Sequence, residues 1–150
     1  MSDRVFPDPY PASEEIRTLV ARLRAAPFKA DTKTVPELRD NFEGFASSFH
    51  DIPSSTRFEP VDDVEVSMEW AIAEGASTDA VILYFHGGGY TIGSISSYRD
   101  HCARLSAMTG ARVLSVGYRL APENRYPAAL NDARTSYEWL LAQGISLSAS

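Results

Sequence analysis

Ala80-Val-Ile-Leu-Tyr-Phe-His-Gly-Gly-Gly-Tyr90 decides how the rest of the chain is read. Residues 80–85 are apolar without alternation, the pattern of a strand covered on both faces within a parallel sheet. The strand gives way at once to Gly87-Gly88-Gly89. Three glycines remove every Cβ from the loop, so its backbone N–H groups can closely approach an anion or a developing oxyanion. A glycine-rich turn without chemistry has the same composition.

Spacing separates the chemical readings. A phosphate loop needs lysine and serine or threonine after its last glycine; Gly88 and Gly93 are suitably separated, but Ser94-Ile95 follow. A dinucleotide fingerprint beginning at Gly87 and Gly89 needs glycine where Ile92 stands, and no acidic ribose partner is evident after the next strand. The reading left is an oxyanion hole of the HGGG type, which follows the third strand in esterases and lipases. Fixed backbone donors there stabilise the charge that builds on a carbonyl oxygen, and loss of one donor costs about a hundred- to a thousandfold in rate.

Working outward, residues 57–61 and 64–73 read as strands joined at Asp62-Asp63, and residues 74–79 as a polar loop. Downstream, a helix is expected from about Ser97, with Ser97-x-x-Asp100 as its cap. Gly110 stops it, and residues 112–118 form another strand. Pro127 then opens a helix whose Leu130, Ala133, Tyr137, Leu140 and Leu141 share a face, ending at Gly144. Upstream, residues 1–12 are a proline-rich lead-in. Ile16, Leu19, Val20 and Leu23 form a helical stripe stopped by Pro27. Thr34-Val-Pro-Glu37 has capping-box spacing, and Leu38, Phe42, Phe45 and Phe49 lie on one face beyond it. The order of elements predicts an α/β fold over residues 51–150, with residues 1–50 as a separate helical preface.

A second motif follows the fourth strand: Tyr118-Arg-Leu-Ala-Pro-Glu123, then Tyr126-Pro-Ala-Ala-Leu130 and Asp132-Ala133. Together with His86-Gly-Gly-Gly-Tyr90 and Gly93-Ser94, it closely resembles the hormone-sensitive-lipase-like family of bacterial carboxylesterases, over about residues 64–144. The resemblance implies the α/β-hydrolase fold, and implies that residues 1–50 are an N-terminal cap roofing the active site. It also implies roles for individual residues. Gly88 and Gly89 donate their N–H groups to the oxyanion, Gly87 permits the turn, and His86 supports the loop by hydrogen bonding. Tyr90 lies near substrate, or else packs beside the loop. Arg119 and Glu123 brace the loop as an ion pair.

The same family requires a G-x-S-x-G nucleophile elbow, then an acid and a histidine. None is found through Ser150. Ser115 lies inside a strand with Val113 two places before it, and Ser94 has Ile92 and Ser96 at the positions that need glycine. His50 and His101 lie on helical patterns, and Asp132 precedes the place of the nucleophile. The implied function is a serine carboxylesterase for short- to medium-chain esters, with this chain supplying cap and oxyanion hole but inactive alone. The alternative is a non-catalytic small-molecule receptor or pseudoenzyme on the same fold. The expected partners are an ester substrate and the remaining half of the fold, from a second polypeptide or another copy, because the 80–85 strand would otherwise have a bare edge.

Gross composition narrows the remaining classes. Fourteen basic against 20 acidic residues give a net charge of -6, which disfavours nucleic acid and anionic membranes as partners. The single cysteine, Cys102, lies among apolar neighbours and reads as a buried small side chain. No cluster has metal-ligand spacing, so no metal or organic cofactor is expected. No stretch approaches the roughly 18 apolar residues of a membrane span. No apolar run follows Met1, so no signal peptide and a cytoplasmic location are expected.

Overall fold

The computed structural model describes residues 13–25, 34–48 and 50–145. The proline-rich lead-in, Pro27 and Phe49 therefore lie outside the described residues. Two compact units are distinguished, divided between Lys33 and Thr34. The first contains α1 (Glu14–Ala25), whose Ile16, Leu19 and Val20 are exposed. The second begins with α2 (Val35–Ser47), which therefore groups with the sheet.

Thr34 starts α2 as the capping-box spacing predicts. Its backbone N–H and its hydroxyl both donate to the Glu37 carboxylate, at 2.7 and 2.8 Å. Pro36 occupies the first turn, where its missing N–H is no loss. Leu38 and Phe42 are half-buried, whereas Phe45 remains exposed.

Four strands form one mixed sheet in the order β1-β2-β4-β3: β1 (Arg57–Pro60), β2 (Ser67–Ile72), β3 (Ser77–Phe85) and β4 (Ala111–Gly117). β1 and β2 pair antiparallel, as do β2 and β4, while β3 runs parallel to β4 with Leu83 beside Leu114 and Phe85 beside Val116. Parallel neighbours need a crossover, and α3 (Arg99–Thr109) supplies it. β3 starts earlier than its apolar run. Ser77 already pairs with Ala111, and a register shift separates that pair from Val81–Arg112. The polar segment thus joins the ladder irregularly, and hydropathy alone misses its first residues.

β4 is the centre of the core. Val113, Leu114 and Val116 are fully enclosed, because helices cover both faces of the strand. Val113 packs with Ala71 and Cys102 beneath α3. Leu114 and Val116 pack with Val66, Met68, Tyr118 and Leu140 of α4 (Ala128–Ala142) on the other face. Cys102 is 1 % exposed, and burial pushes its thiol up to about 11. Ser106 ties α3 to the sheet, donating to the Ala111 carbonyl at 2.6 Å and accepting from the Ala73 N–H at 3.0 Å.

Two expectations are corrected. The α3 cap does not form from Ser97 and Asp100. A 3-10 turn, Ser96–Tyr98, precedes the helix; the Ser97 hydroxyl closes on Ser94, and Asp100 accepts from the Asp51 N–H and from Arg104. In α4 the buried stripe is Asp132, Ser136 and Leu140, while Leu130, Tyr137 and Leu141 are exposed. The apolar stripe read from sequence is therefore mostly surface here. Polar residues occupy the inner face because each has a partner: Ser136 donates to the Asp132 carbonyl, and Asp132 accepts from Arg119.

Candidate functional site

The carboxyl ends of β3 and β4 lie side by side, and the segments leaving them enclose a cavity of about 810 Å³. Its lining includes the whole His86–Tyr90 loop, Tyr118, Arg119, Asn124, Tyr126 and Leu130. Of the residues given individual roles by the resemblance, His86 to Tyr90 and Arg119 thus meet at one cavity, and Glu123 does not line it.

The glycine loop has a conformation that depends on its composition. Gly88 (φ +127°), Gly89 (φ +60°) and Tyr90 (φ +61°) all lie in the left-handed region. A Cβ on Gly88 would stand 1.9 Å from the Ile92 carbonyl oxygen. That carbonyl is close because the loop folds into a turn, in which the N–H groups of Thr91 and Ile92 both donate to the Gly88 carbonyl at 3.1 Å. The carbonyl of Gly89 also has an internal partner, the Thr91 hydroxyl at 3.2 Å. The amide N–H groups of Gly88 and Gly89 have no acceptor among the described residues.

His86 closes the base of the loop. It is 4 % exposed, and its Nδ1–H donates to the Gly87 carbonyl at 2.8 Å, which fixes the proton on that nitrogen in the neutral ring. Tyr118 stacks on the imidazole with ring centres 4.3 Å apart, and its hydroxyl donates to the His86 carbonyl at 2.6 Å. Tyr98 stacks near the ring as well, at 5.7 Å. Burial lowers the imidazole's pKa below the ordinary 6.5, and the bond to Gly87 only partly opposes it. A buried neutral ring held this way suits support of a loop. Tyr90 is the exposed member, 66 % accessible at the cavity and edge-on to Tyr118.

Arg119 and Glu123 do not pair with each other. Arg119 grips Asp132 through Nε at 3.0 Å and Nη2 at 2.6 Å, and its own backbone N–H adds a third attachment at 2.8 Å. Burial alone would raise the Asp132 carboxyl; the bonds from Arg119 outweigh it and leave the carboxyl below its usual 3.8. Glu123 instead accepts from Arg39 of α2, at 3.0 and 2.7 Å. The expected ion pair fails because the chain carries Glu123 toward α2 while Arg119 turns to the start of α4. Arg39 is the residue that sequence reading missed. It also donates from Nε to the Thr91 carbonyl and from Nη2 to the Ala121 carbonyl, each at 2.9 Å. No motif marks it, since an arginine after Glu37 and Leu38 on a polar-looking helix has nothing to distinguish it from a solvated charge.

Residues 82–150 match the family model described as the α/β hydrolase fold. Lipase 2 of Moraxella sp. (strain TA144) is 47% identical over 79 residues, covering 52% of this chain and 18% of that protein. The ethyl acetate hydrolase of Pseudomonas putida is 44% identical over 72 residues, covering 48% of this chain and 23% of that one. Among solved structures, an esterase from the bacterial hormone-sensitive lipase family superposes with a TM-score of 0.80 at 36% identity, covering 90% of this chain and 45% of its own. An esterase/lipase from an uncultured bacterium gives 0.82 at 34%, with the same coverage. The chain thus spans just under half of these solved structures, and its matched segment less than a quarter of these two curated relatives. No helix among the described residues is long and apolar enough to cross a membrane.

Proposed function

We propose, for a chain that belongs to the hormone-sensitive-lipase-like esterases of the α/β-hydrolase fold, that the complete protein hydrolyses short- to medium-chain carboxylic esters through an acyl-serine intermediate. In this reading the ester carbonyl sits in the cavity at the ends of β3 and β4, its oxygen toward Gly88 and Gly89. A serine outside residues 1–150 attacks the carbonyl carbon, and negative charge moves onto the oxygen. The two glycine amides take that charge as hydrogen bonds that strengthen in the transition state, which is where backbone donors accelerate acyl transfer. The intermediate collapses with loss of the alcohol, and water then releases the acid by the same route. The observation that carries the reading is the pair of unclaimed N–H groups at Gly88 and Gly89, in a loop whose carbonyls are already satisfied.

His86 serves as the brace of that loop in this account, and Tyr90 as a contact for bound ester. The serine, acid and base come from the remainder of the fold, so the 150-residue chain by itself is expected to turn over no ester. The coding sequence beyond Ser150 tests this first. A Gly-x-Ser-x-Gly segment followed by an acid and a histidine is the expected finding, and the complete product should release chromophore from a chromogenic short-chain ester. A substituted serine or histidine, with ligand binding but no turnover, would replace the enzyme with a receptor on the same scaffold.

A further inference from the structure

Arg39 makes four hydrogen bonds with one planar group, and all of them join the α2 helix to the two loops that flank the cavity. Nε takes the Thr91 carbonyl, Nη2 takes the Ala121 carbonyl, and Nη1 and Nη2 share the two oxygens of Glu123. The loops are also joined directly, because the Ala121 N–H donates to the Tyr90 carbonyl at 2.8 Å. Tyr90 and Thr91 are the residues that follow Gly89. Tyr90 holds a left-handed φ of +61°, a conformation that costs a residue with a Cβ energy and persists only where its surroundings enforce it. The Thr91 N–H in turn donates to the Gly88 carbonyl. The chain of attachment therefore runs from the guanidinium to the Thr91 peptide, from there to the Gly88 peptide, and in parallel through Ala121 to Tyr90.

We propose that Arg39 is a positioning residue for ester hydrolysis: its guanidinium, oriented by Glu123, fixes the Thr91 and Ala121 carbonyls and thereby the direction in which the Gly88 and Gly89 amides point. The inference deepens the esterase reading and rests on it for its catalytic consequence. Two features favour a geometric role over a stabilising one. The Arg39–Glu123 pair is partly exposed, with side chains 28% and 54% accessible, and such pairs contribute little to stability. The guanidinium also binds acceptors from separate loops at fixed mutual angles, which a lysine ammonium at the same site cannot reproduce.

The test has two arms. In the 150-residue chain, hydrogen exchange of peptides spanning residues 86–93 and 119–124 is compared between wild type, Arg39→Lys and Arg39→Ala. Faster exchange in both peptides of both variants, with the β2 and β4 amides unchanged, is expected. Unchanged exchange in the loop peptides of a folded variant would overturn the proposal. In the complete protein, kcat and KM are measured per active site, counted with an acylating inhibitor. Arg39→Ala and Arg39→Lys should lose about 10- to 100-fold in kcat, the scale on which small misplacements act, with KM little changed. Guanidinium ion at a non-denaturing concentration should restore part of the loss to Arg39→Ala alone. A purely structural role would lower the number of active sites and leave kcat per site intact, which would also overturn the proposal. If Arg39→Ala folds poorly, Arg39→Lys decides. A wild-type protein without turnover would refute the esterase reading, and the exchange arm would then decide the tether by itself.

Discussion

Gly88 and Gly89 both have positive φ but differ in their surroundings, and substitution should tell them apart. Alanine at Gly88 meets the Ile92 carbonyl at 1.9 Å in a φ of +127°. The obstacle is backbone, so the turn itself must open. Alanine at Gly89 meets nothing within 4 Å, and only the left-handed φ of +60° opposes it, a cost of about 1–2 kcal/mol. Thermal melting should show Gly88→Ala as clearly the more destabilised of the two; equal losses would mean that the turn drawn here is wrong. His86 adds a pH dependence. Its folded pKa lies below 6.5, so as pH falls the unfolded chain takes up the proton first. Stability is complete above about pH 6.5 and declines below it, and His86→Asn should remove that decline from a melting series. A parallel loss in both proteins would contradict the account. Asp132 behaves likewise at lower pH: its depressed carboxyl contributes stability above 3.8 that is lost as pH falls through the folded value. Asp132→Asn should weaken the grip on Arg119 and cost about 1–3 kcal/mol in denaturant melts, and a neutral substitution would be the contrary result.

Among the elements, the strands were the most legible in sequence. Within the uninterrupted run of residues 80–85, Val81 to Phe85 pair in register with β4, and the enclosed β4 is nearly as apolar. Legibility fails where side chains choose partners across the fold. Nothing local tells Glu123 to meet Arg39, 84 positions away, in place of Arg119. Nor does periodicity distinguish the two faces of α4, because a half-polar stripe with satisfied hydrogen bonds can be buried as readily as an apolar one. The glycine loop was readable since its constraint is local, the removal of Cβ atoms. The outer edge of β3 has no strand partner among the described residues. In a parallel pair alternate residues bond to the neighbour, so amide exchange along residues 81–85 of the isolated chain should alternate between slow and fast, whereas β4 should be slow throughout. Uniform protection along β3 would mean that another chain covers this edge.

At the scale of the whole molecule, the exposed Leu130 of α4 and Phe85 at the end of β3 line the same cavity as the glycine loop. This is the side on which the remainder of an α/β-hydrolase sheet would add, and it is where the proposed serine, acid and base would enter. α2 grips both loops of the site through Arg39, so a helix outside the sheet is tied to the loop proposed to carry the oxyanion donors. The account stands or falls on the glycine amides meeting negative charge on a carbonyl oxygen. Its most direct test is the rate of chromogenic ester hydrolysis by the complete protein carrying Gly88→Ala, normalised to the number of serines that an organophosphorus reagent can label. A fall of about a hundred- to a thousandfold per labelled serine is predicted, while turnover equal to wild type would contradict the assignment of the oxyanion site.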